Sequence, residues 1–460
     1  MIYDYINLDK RLKQSLYIQL YSSIKENIQN GNISKNSRLP SIRKLAEDLR
    51  VSKTTVENAY SQLCAEGYIT NKPQSGYYVA QLTINNNIQN SRENTNRNPS
   101  ISDKYWCDFS GKSVDIGEVS LKLWKKYIRY IINCDYLVTS YGDPQGEPAL
   151  RQSLSEYSYS VRGAVANSDE IIIGAGIQPL LYLLCGLIRK NYGNIVAVDE
   201  YGFNYAEKVF DDCGLKTVKA VCDDNGIIPE ELEKSEAKIL LLNPSGNLRT
   251  GKHLKADRRT HLLSWAEKYN AIIIEDDYNG ELKYNTHPVP AMQGYNKSRV
   301  VYLGSFSKLL LPSVRIGYMI LPSALLRDYK LNKTNYNQTA SKMEQLALGK
   351  YIADGQMERS LRRLRKIYKE KSDYMINLLK ENFSDNAEII FKETSLCFSL
   401  IFSKKVDFSN IREILKDKGV NIIFNSYNKN IIELSFSGID KDNIKKGIQV
   451  IKETIEIFIK

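Results

Sequence analysis

Histidine is almost absent from this chain of 460 residues, occurring only as His253, His261 and His287. None of the three stands in an H-E-x-x-H spacing, so a histidine-held metal is not expected. Cysteine is also sparse. The seven thiols, at positions 64, 107, 134, 185, 213, 222 and 397, are odd in number and scattered, with no C-x-x-C pair. They suggest neither a disulfide framework nor a zinc site, and read as reduced thiols in the cytoplasm. Long apolar runs are missing as well. The longest, Ile177 to Ile188, contains Gln178, Pro179 and Gly186 and falls short of the roughly 18 residues of a membrane span. The opening MIYDYINLDK lacks a basic stretch followed by an apolar core, so no secretory signal is expected.

What is present is globular composition, with 42% hydrophobic and 25% charged residues. The length exceeds one ordinary domain and predicts two or three folding units. The formal charge of +11 fits an anionic partner, and residues 1–80 are the most densely basic, with 11 basic and 7 acidic side chains.

The chain divides at a stretch following Ala80. QLTINNNIQNSRENTNRNPS holds seven asparagines in 20 residues and no sustained apolar period, so residues 81–104 read as a flexible linker. Before it, Leu16, Leu20, Ile24 and Ile28 mark one helical face. A second helix is expected from Ser41, burying Ile42, Leu45, Ala46 and Leu49. A third, from Lys53 to Glu66, buries Val56, Ala59, Tyr60 and Leu63, and GYITNKPQSGYYVA predicts a hairpin around Pro73, Ser75 and Gly76. Residues 105–460 alternate short apolar runs with helical stretches: Glu170–Ile173, Ile195–Val198, Lys238–Leu242, Ala271–Glu275 and Val300–Leu303. Unbroken hydrophobicity predicts strands covered on both faces, hence an α/β, mostly parallel sheet over about 140–330. A smaller α+β lobe is expected over about 331–460.

Helix, turn, helix and hairpin make a winged helix-turn-helix, whose second paired helix enters the major groove. LPSIRKLAEDLRVSKTTVENAYSQLCAEGYI resembles the DNA-binding domain of GntR regulators. The resemblance implies contacts to double-stranded operator DNA from Arg38, Arg43, Ser52, Lys53, Thr54 and Thr55, with Gly76 letting the wing approach the backbone. Lys53, Thr54 and Thr55 open the recognition helix, where side chains and helix amides can meet phosphate together.

In the second segment, GSFSK follows the strand Val300–Leu303, and Arg315 lies seven residues past Lys308. The strand AIII ends in EDDY, placing Asp276 to pair with a protonated pyridine nitrogen and Tyr278 to donate to a phenolate oxygen. GAGIQ precedes a helix, offering Gly176, Ile177 and Gln178 to a phosphate at the helix start. Singly these are weak signals: a lysine after a strand usually faces solvent and glycine-rich turns are common. Together, on successive strand ends, they supply what pyridoxal 5′-phosphate requires: an amine, a carboxylate for the ring nitrogen and a phosphate cup.

The constellation resembles the aspartate-aminotransferase fold family. YGDPQGEPALR, EDDYNGELKY and GSFSKLLLPSVRIGY, with the winged helix, resemble the MocR/PdxR branch of GntR regulators over nearly the whole chain. That resemblance implies a pyridoxal phosphate Schiff base on Lys308, Asp276 at the ring nitrogen, Tyr278 and Asn247 at the ring oxygen and Phe203 stacked on the ring. It implies Ile177, Gln178, Ser305, Ser307 and Arg315 around the phosphate, joined by Tyr141 of a partner subunit in a homodimer. Relatives carry P-S-H-Q-F-P-T-G where this chain has P-S-G-N-L-R-T-G at 244–251, and IIELSF sets Glu433 where an arginine would grip a substrate carboxylate. The expected function is a transcription regulator whose degenerate aminotransferase-like domain senses pyridoxal phosphate or its amine adduct, without sustained turnover, and controls vitamin B6, amine or amino-acid genes. A working aminotransferase with a DNA-binding appendix is the alternative.

Overall fold

A computed structural model describes residues 6, 8–9, 14–80, 105–115, 117–199, 204–223, 225–246, 251–285, 289–404, 408–424 and 430–458. The chain forms two units, residues 1–98 and 99–460. The stretch read as a linker, 81–104, lies outside the described residues.

In the first unit, α1 (Leu16–Gln29), α2 (Ile42–Leu49) and α3 (Lys53–Ala65) pack around Leu20, Ile24, Leu45, Val56, Tyr60 and Leu63, all fully buried. The i, i+4 spacing of the apolar residues on α1 and α3 creates these faces. Ile42 and Leu49, expected inside, are only half-buried because α2 is two turns long and turns Leu45 and Ala46 inward. Each helix of the pair begins at a serine whose hydroxyl accepts a backbone N–H: Lys44 N to Ser41 Oγ at 3.3 Å and Thr55 N to Ser52 Oγ at 3.1 Å. Between them Arg50 takes a left-handed conformation with φ 50°, which closes α2 within one residue. The wing is the antiparallel pair β1 (Ile69–Lys72) and β2 (Gly76–Val79), with Lys72 opposite Gly76. Gly76, at φ +105°, occupies backbone space that favours glycine, and Arg38 lies alongside it.

The second unit opens with β3 (Cys107–Asp108) and is built on seven strands in the order β4-β12-β11-β10-β9-β5-β6. These are β4 (Ile171–Gly174), β5 (Ile195–Asp199), β6 (Lys216–Ala220), β9 (Ile239–Leu242), β10 (Ile272–Asp276), β11 (Val300–Ser305) and β12 (Gly317–Ile320). A short hairpin, β7 (Cys222–Asp223) and β8 (Gly226–Ile227), lies between β6 and β9. All neighbours in the large sheet are parallel except β12, which runs antiparallel to both β11 and β4. Alternate residues feed opposite cores: Ile239, Leu241, Ile272 and Ile274 on one face, Leu240, Leu242 and Ile273 on the other. That double burial is why these strands read as unbroken apolar runs.

The smaller sheet is antiparallel, in the order β13-β14-β17-β16, from β13 (Ala387–Lys392), β14 (Cys397–Phe402), β16 (Ile423–Phe424) and β17 (Ile431–Ser435). β15 (Val420–Asn421) pairs with β3, tying this lobe to the start of the unit. The long helices Gln356–Phe383 and Lys441–Glu456 complete its core with Leu364, Tyr368, Ile444 and Ile451.

Candidate functional site

The acidic end of β10 distributes three carboxylates by strand alternation. Glu275 is fully buried, accepts the amides of Met292 and Gln293 at 2.8 and 2.9 Å, and is pushed up to about 7 by burial. Asp277 accepts Arg162, Ser245 Oγ and Tyr302 OH, and its environment holds its carboxyl below the usual range despite burial. Asp276 differs from both. It is 8% exposed, accepts no hydrogen bond from a described residue, and is pushed up to about 7, by burial first and by neighbouring Asp277 second.

Asp276 faces a cavity of about 370 Å³ lined also by Lys308, Tyr278, Asn243, Cys397 and Glu433. Lys308 follows β11 in a tight turn. Its ammonium donates to Gly111 O and, at 3.5 Å, reaches Ser437 Oγ. Burial lowers its pKa to about 8, against the ordinary 10.5. At neutral pH about one amine in ten is then uncharged, several hundred times the share of an exposed lysine. Tyr278 is half-buried on the same wall, its phenol pushed up to about 12 by burial.

The expected phosphate group assembles in two pieces that do not line this cavity. Gly176, at φ +87°, caps the helix Ile177–Tyr192, whose first amides, including those of Ile177 and Gln178, have no partner within the helix. A Cβ on Gly176 would stand 3.0 Å from Arg315 Nη2, so the guanidinium lies directly over the helix start. Ser305 Oγ and Ser307 Oγ are 3.2 Å apart at the end of β11. Register sets Ser305, Gly317 and Gly174 in one row across β11, β12 and β4. Gly317 is needed there, since its Cβ would meet the Gly176 carbonyl carbon at 3.0 Å.

Tyr141 is fully exposed. Phe203 and Asn247 lie outside the described residues. Sequence reasoning missed Asp199, Tyr205, Asn243, Cys397 and Ser435, which line the cavity from four separate segments. Glu433, set by the sequence where an arginine would grip a substrate carboxylate, also lines the cavity, and its partner was missed: Lys392 Nζ donates to Glu433 Oε1 at 2.8 Å.

On the first unit, Arg43, Lys53 and Thr54 are exposed and Thr55 is half-buried at the start of α3. Arg43 Nε pairs with Glu47 at 3.2 Å on the outer face of α2. Ser52 caps α3 by accepting the Thr55 N–H at 3.1 Å, and its hydroxyl also bonds that of Thr55 at 2.8 Å.

The two units and their sites define the class: a DNA-binding head joined to an aminotransferase-like body. Residues 16–79 match the bacterial regulatory proteins of the gntR family, and residues 118–451 match aminotransferase class I and II. Over 98% of its length the chain is 33% identical to an uncharacterized HTH-type transcriptional regulator, YdeL, of Bacillus subtilis, covering 99% of that protein. It is 28% identical to the probable rhizopine catabolism regulatory protein MocR of Rhizobium meliloti, with 97% and 94% coverage. It is 26% identical to the pyridoxine biosynthesis transcriptional regulator PdxR of Corynebacterium glutamicum, with 98% of each chain covered. Among solved structures it resembles kynurenine aminotransferase of Pyrococcus horikoshii, with a TM-score of 0.67, 25% identity, and 76% and 90% coverage. The chain belongs to the MocR/PdxR-type GntR regulators, in which a winged helix is fused to an aminotransferase class I/II domain.

Proposed function

We propose that this regulator binds pyridoxal phosphate as a Schiff base on Lys308 and converts occupancy of that site into a change in operator affinity, without sustained transamination. One observation carries the reading. A buried carboxyl that accepts no hydrogen bond from a described residue, Asp276, and a half-buried lysine of lowered pKa, Lys308, converge on one cavity at the carboxyl ends of β10 and β11. The residues fit the cofactor: Asp276 would hold the ring nitrogen charged, Tyr278 would donate to the ring oxygen, and Arg315, Ser305, Ser307 and the amides after Gly176 would take the phosphate. Phe203 and Asn247 are assigned to the ring face and ring oxygen by family likeness alone. Bound there, the cofactor would supply an electrophilic carbon that amines can address. PdxR's name, a pyridoxine biosynthesis regulator, supports a role in vitamin B6 or amine metabolism, and the DNA-binding head supports a cytoplasmic location.

We further assign Arg38, Arg43, Ser52, Lys53, Thr54 and Thr55 to the DNA face, with Gly76 at the wing. A homodimer would pair two heads on repeated half-sites and bring Tyr141 of one protomer to its partner's phosphate. The deciding experiment titrates operator affinity of the purified protein against pyridoxal phosphate, alongside an assay with amino donors and an α-keto acid. Operator affinity should change at least tenfold with no sustained turnover; unchanged affinity, or steady turnover, would reject the reading.

Two outcomes follow from the geometry. Arg43→Ala should weaken operator binding and lower the salt slope by about one phosphate contact, measured by binding isotherms at several salt concentrations; an unchanged slope removes Arg43 from the interface. Attachment of the cofactor to the free protein needs the uncharged amine. Its rate should therefore rise with pH up to about 8, where half of Lys308 is neutral, and level off above it. Stopped-flow absorbance showing a rise that continues to pH 10 would mean that Lys308 is an ordinary exposed lysine.

A further inference from the structure

The cavity around Lys308 has a far end whose chemistry the preceding reading leaves unused. Glu433, on β17, lines it, and Ser435 two residues along lines it too, because alternate strand residues share a face. Ser435 marks the near end: its hydroxyl lies 3.2 Å from Ser437 Oγ, which Lys308 Nζ approaches to 3.5 Å. Two residues of strand rise separate Glu433 from that point by about 7 Å. The cavity thus presents an amine-reactive end and, one short aliphatic chain away, a carboxylate.

The carboxylate is held in place. Lys392, whose side chain is 7% exposed, pairs with Glu433 Oε1 from behind and does not itself line the cavity. Oε2 accepts no hydrogen bond from any described residue. A ligand carboxylate arriving here would meet Glu433 before Lys392, and no guanidinium lines the cavity among the described residues to receive it. Among the described residues, three carboxylates, those of Asp199, Asp276 and Glu433, line the space against one lysine, Lys308. Cys397, buried and opposite Ser435, and Ile423, exposed and opposite Glu433, add apolar wall at the two ends.

We propose that the effector is a diamine: a small unbranched amine whose second ammonium is received by Glu433, and which carries no carboxylate. The proposal rests on the assignment of Lys308 as the cofactor lysine. Lys392 acts as a positioning residue, fixing the Glu433 rotamer and leaving one oxygen for the ligand. Selectivity arises as much from rejection as from attraction, because an amino acid of equal length would set its carboxylate against Glu433.

The test uses the full-length protein loaded with pyridoxal phosphate and three probes of equal chain length: 1,4-diaminobutane, 1-aminobutane and 4-aminobutanoate. Binding is read by calorimetry and by the change in cofactor absorbance. The diamine should bind at least tenfold tighter than either other probe. Glu433→Gln should reduce its advantage over 1-aminobutane to less than threefold, and Glu433→Arg should transfer preference to 4-aminobutanoate. Lys392→Met, which releases the Glu433 rotamer, should lower the diamine's advantage over 1-aminobutane while leaving the affinity for 1-aminobutane unchanged. Equal affinities in the wild type, preference there for 4-aminobutanoate, or undiminished diamine preference in Glu433→Gln would each overturn the proposal. If the protein takes up no cofactor, the reading of the Lys308 site fails first; if it takes up cofactor and shows no diamine preference, only the effector assignment fails.

Discussion

Replacing Lys308 by alanine is expected to abolish covalent attachment of pyridoxal phosphate. Borohydride reduction followed by mass spectrometry should find the cofactor mass on the Lys308 peptide of the wild type and nowhere on the variant. Affinity should fall a hundredfold or more, equivalent to at least about 2.8 kcal/mol, since only contacts to ring and phosphate remain. Asp276→Asn should act differently. It leaves the lysine intact but removes the carboxylate that favours a protonated ring nitrogen, so attachment survives with weaker binding and a shifted absorbance band. The raised pKa of Asp276 has a definite sign here. Burial and Asp277 keep its carboxyl near 7 in the free protein, and a cationic ring nitrogen would bring it back toward the ordinary carboxylate value. Cofactor binding near neutral pH should therefore release protons from Asp276, detectable as a buffer-dependent enthalpy that Asp276→Asn lacks. A Lys308→Ala variant that binds with equal affinity and an identical spectrum would remove the site from this cavity.

Much of this arrangement is legible in the chain because its elements are local. The faces of α1 and α3 follow from i, i+4 spacing, and Ser41 and Ser52 announce two helix starts. The strands β4, β5, β9, β10 and β11 betray themselves because both faces are buried, and EDDY and GSFSK each fall at a strand end. Two strands of the large sheet escaped. β6 lies at the sheet edge and reads Lys216-Thr-Val-Lys219-Ala, its lysines exposed, so it lacks an apolar run. β12 is inserted antiparallel between β4 and β11, a placement that follows from no local signal. The rest of the pocket is non-local. Cys397 and Ser435 are brought opposite each other by pairing of β14 with β17, and the Lys392–Glu433 pair spans 41 residues. Glu433 stood out in sequence only as an acid in an unexpected place. What makes it chemically specific, its buried lysine and its position on the cavity wall, exists only once the smaller sheet has formed.

Arg162→Met is expected to destabilise the second unit by about 3–5 kcal/mol, the cost of leaving a buried charge without its partner. Arg162 and Asp277 have side chains 1% and 0% exposed, and Asp277 adjoins Asp276 in the chain, with Ser245 and Tyr302 completing the shell around Asp277. In the wild type this shell holds Asp277 below the usual carboxylate range. A depressed folded-state pKa stabilises above the unfolded value near 3.9 and is lost as pH falls through the folded one. Without Arg162 the sign reverses: Asp277 must either ionise unaided or take a proton, so the deficit should be largest at neutral pH and shrink toward pH 4. Urea unfolding of the full chain, following the transition of the second unit at pH 4.5 and 7.5, measures this directly. The double variant Arg162→Met, Asp277→Leu should regain most of the loss, because a matched apolar pair needs no desolvated charge. It should still bind cofactor through Lys308, and with the anionic neighbour gone Asp276 should titrate at a lower pH than in the wild type, because the like charge beside it has been removed. A single variant within 1 kcal/mol of wild type at pH 7.5 would show that Asp277 is neutral in the native fold, and would leave burial alone to account for the raised pKa of Asp276.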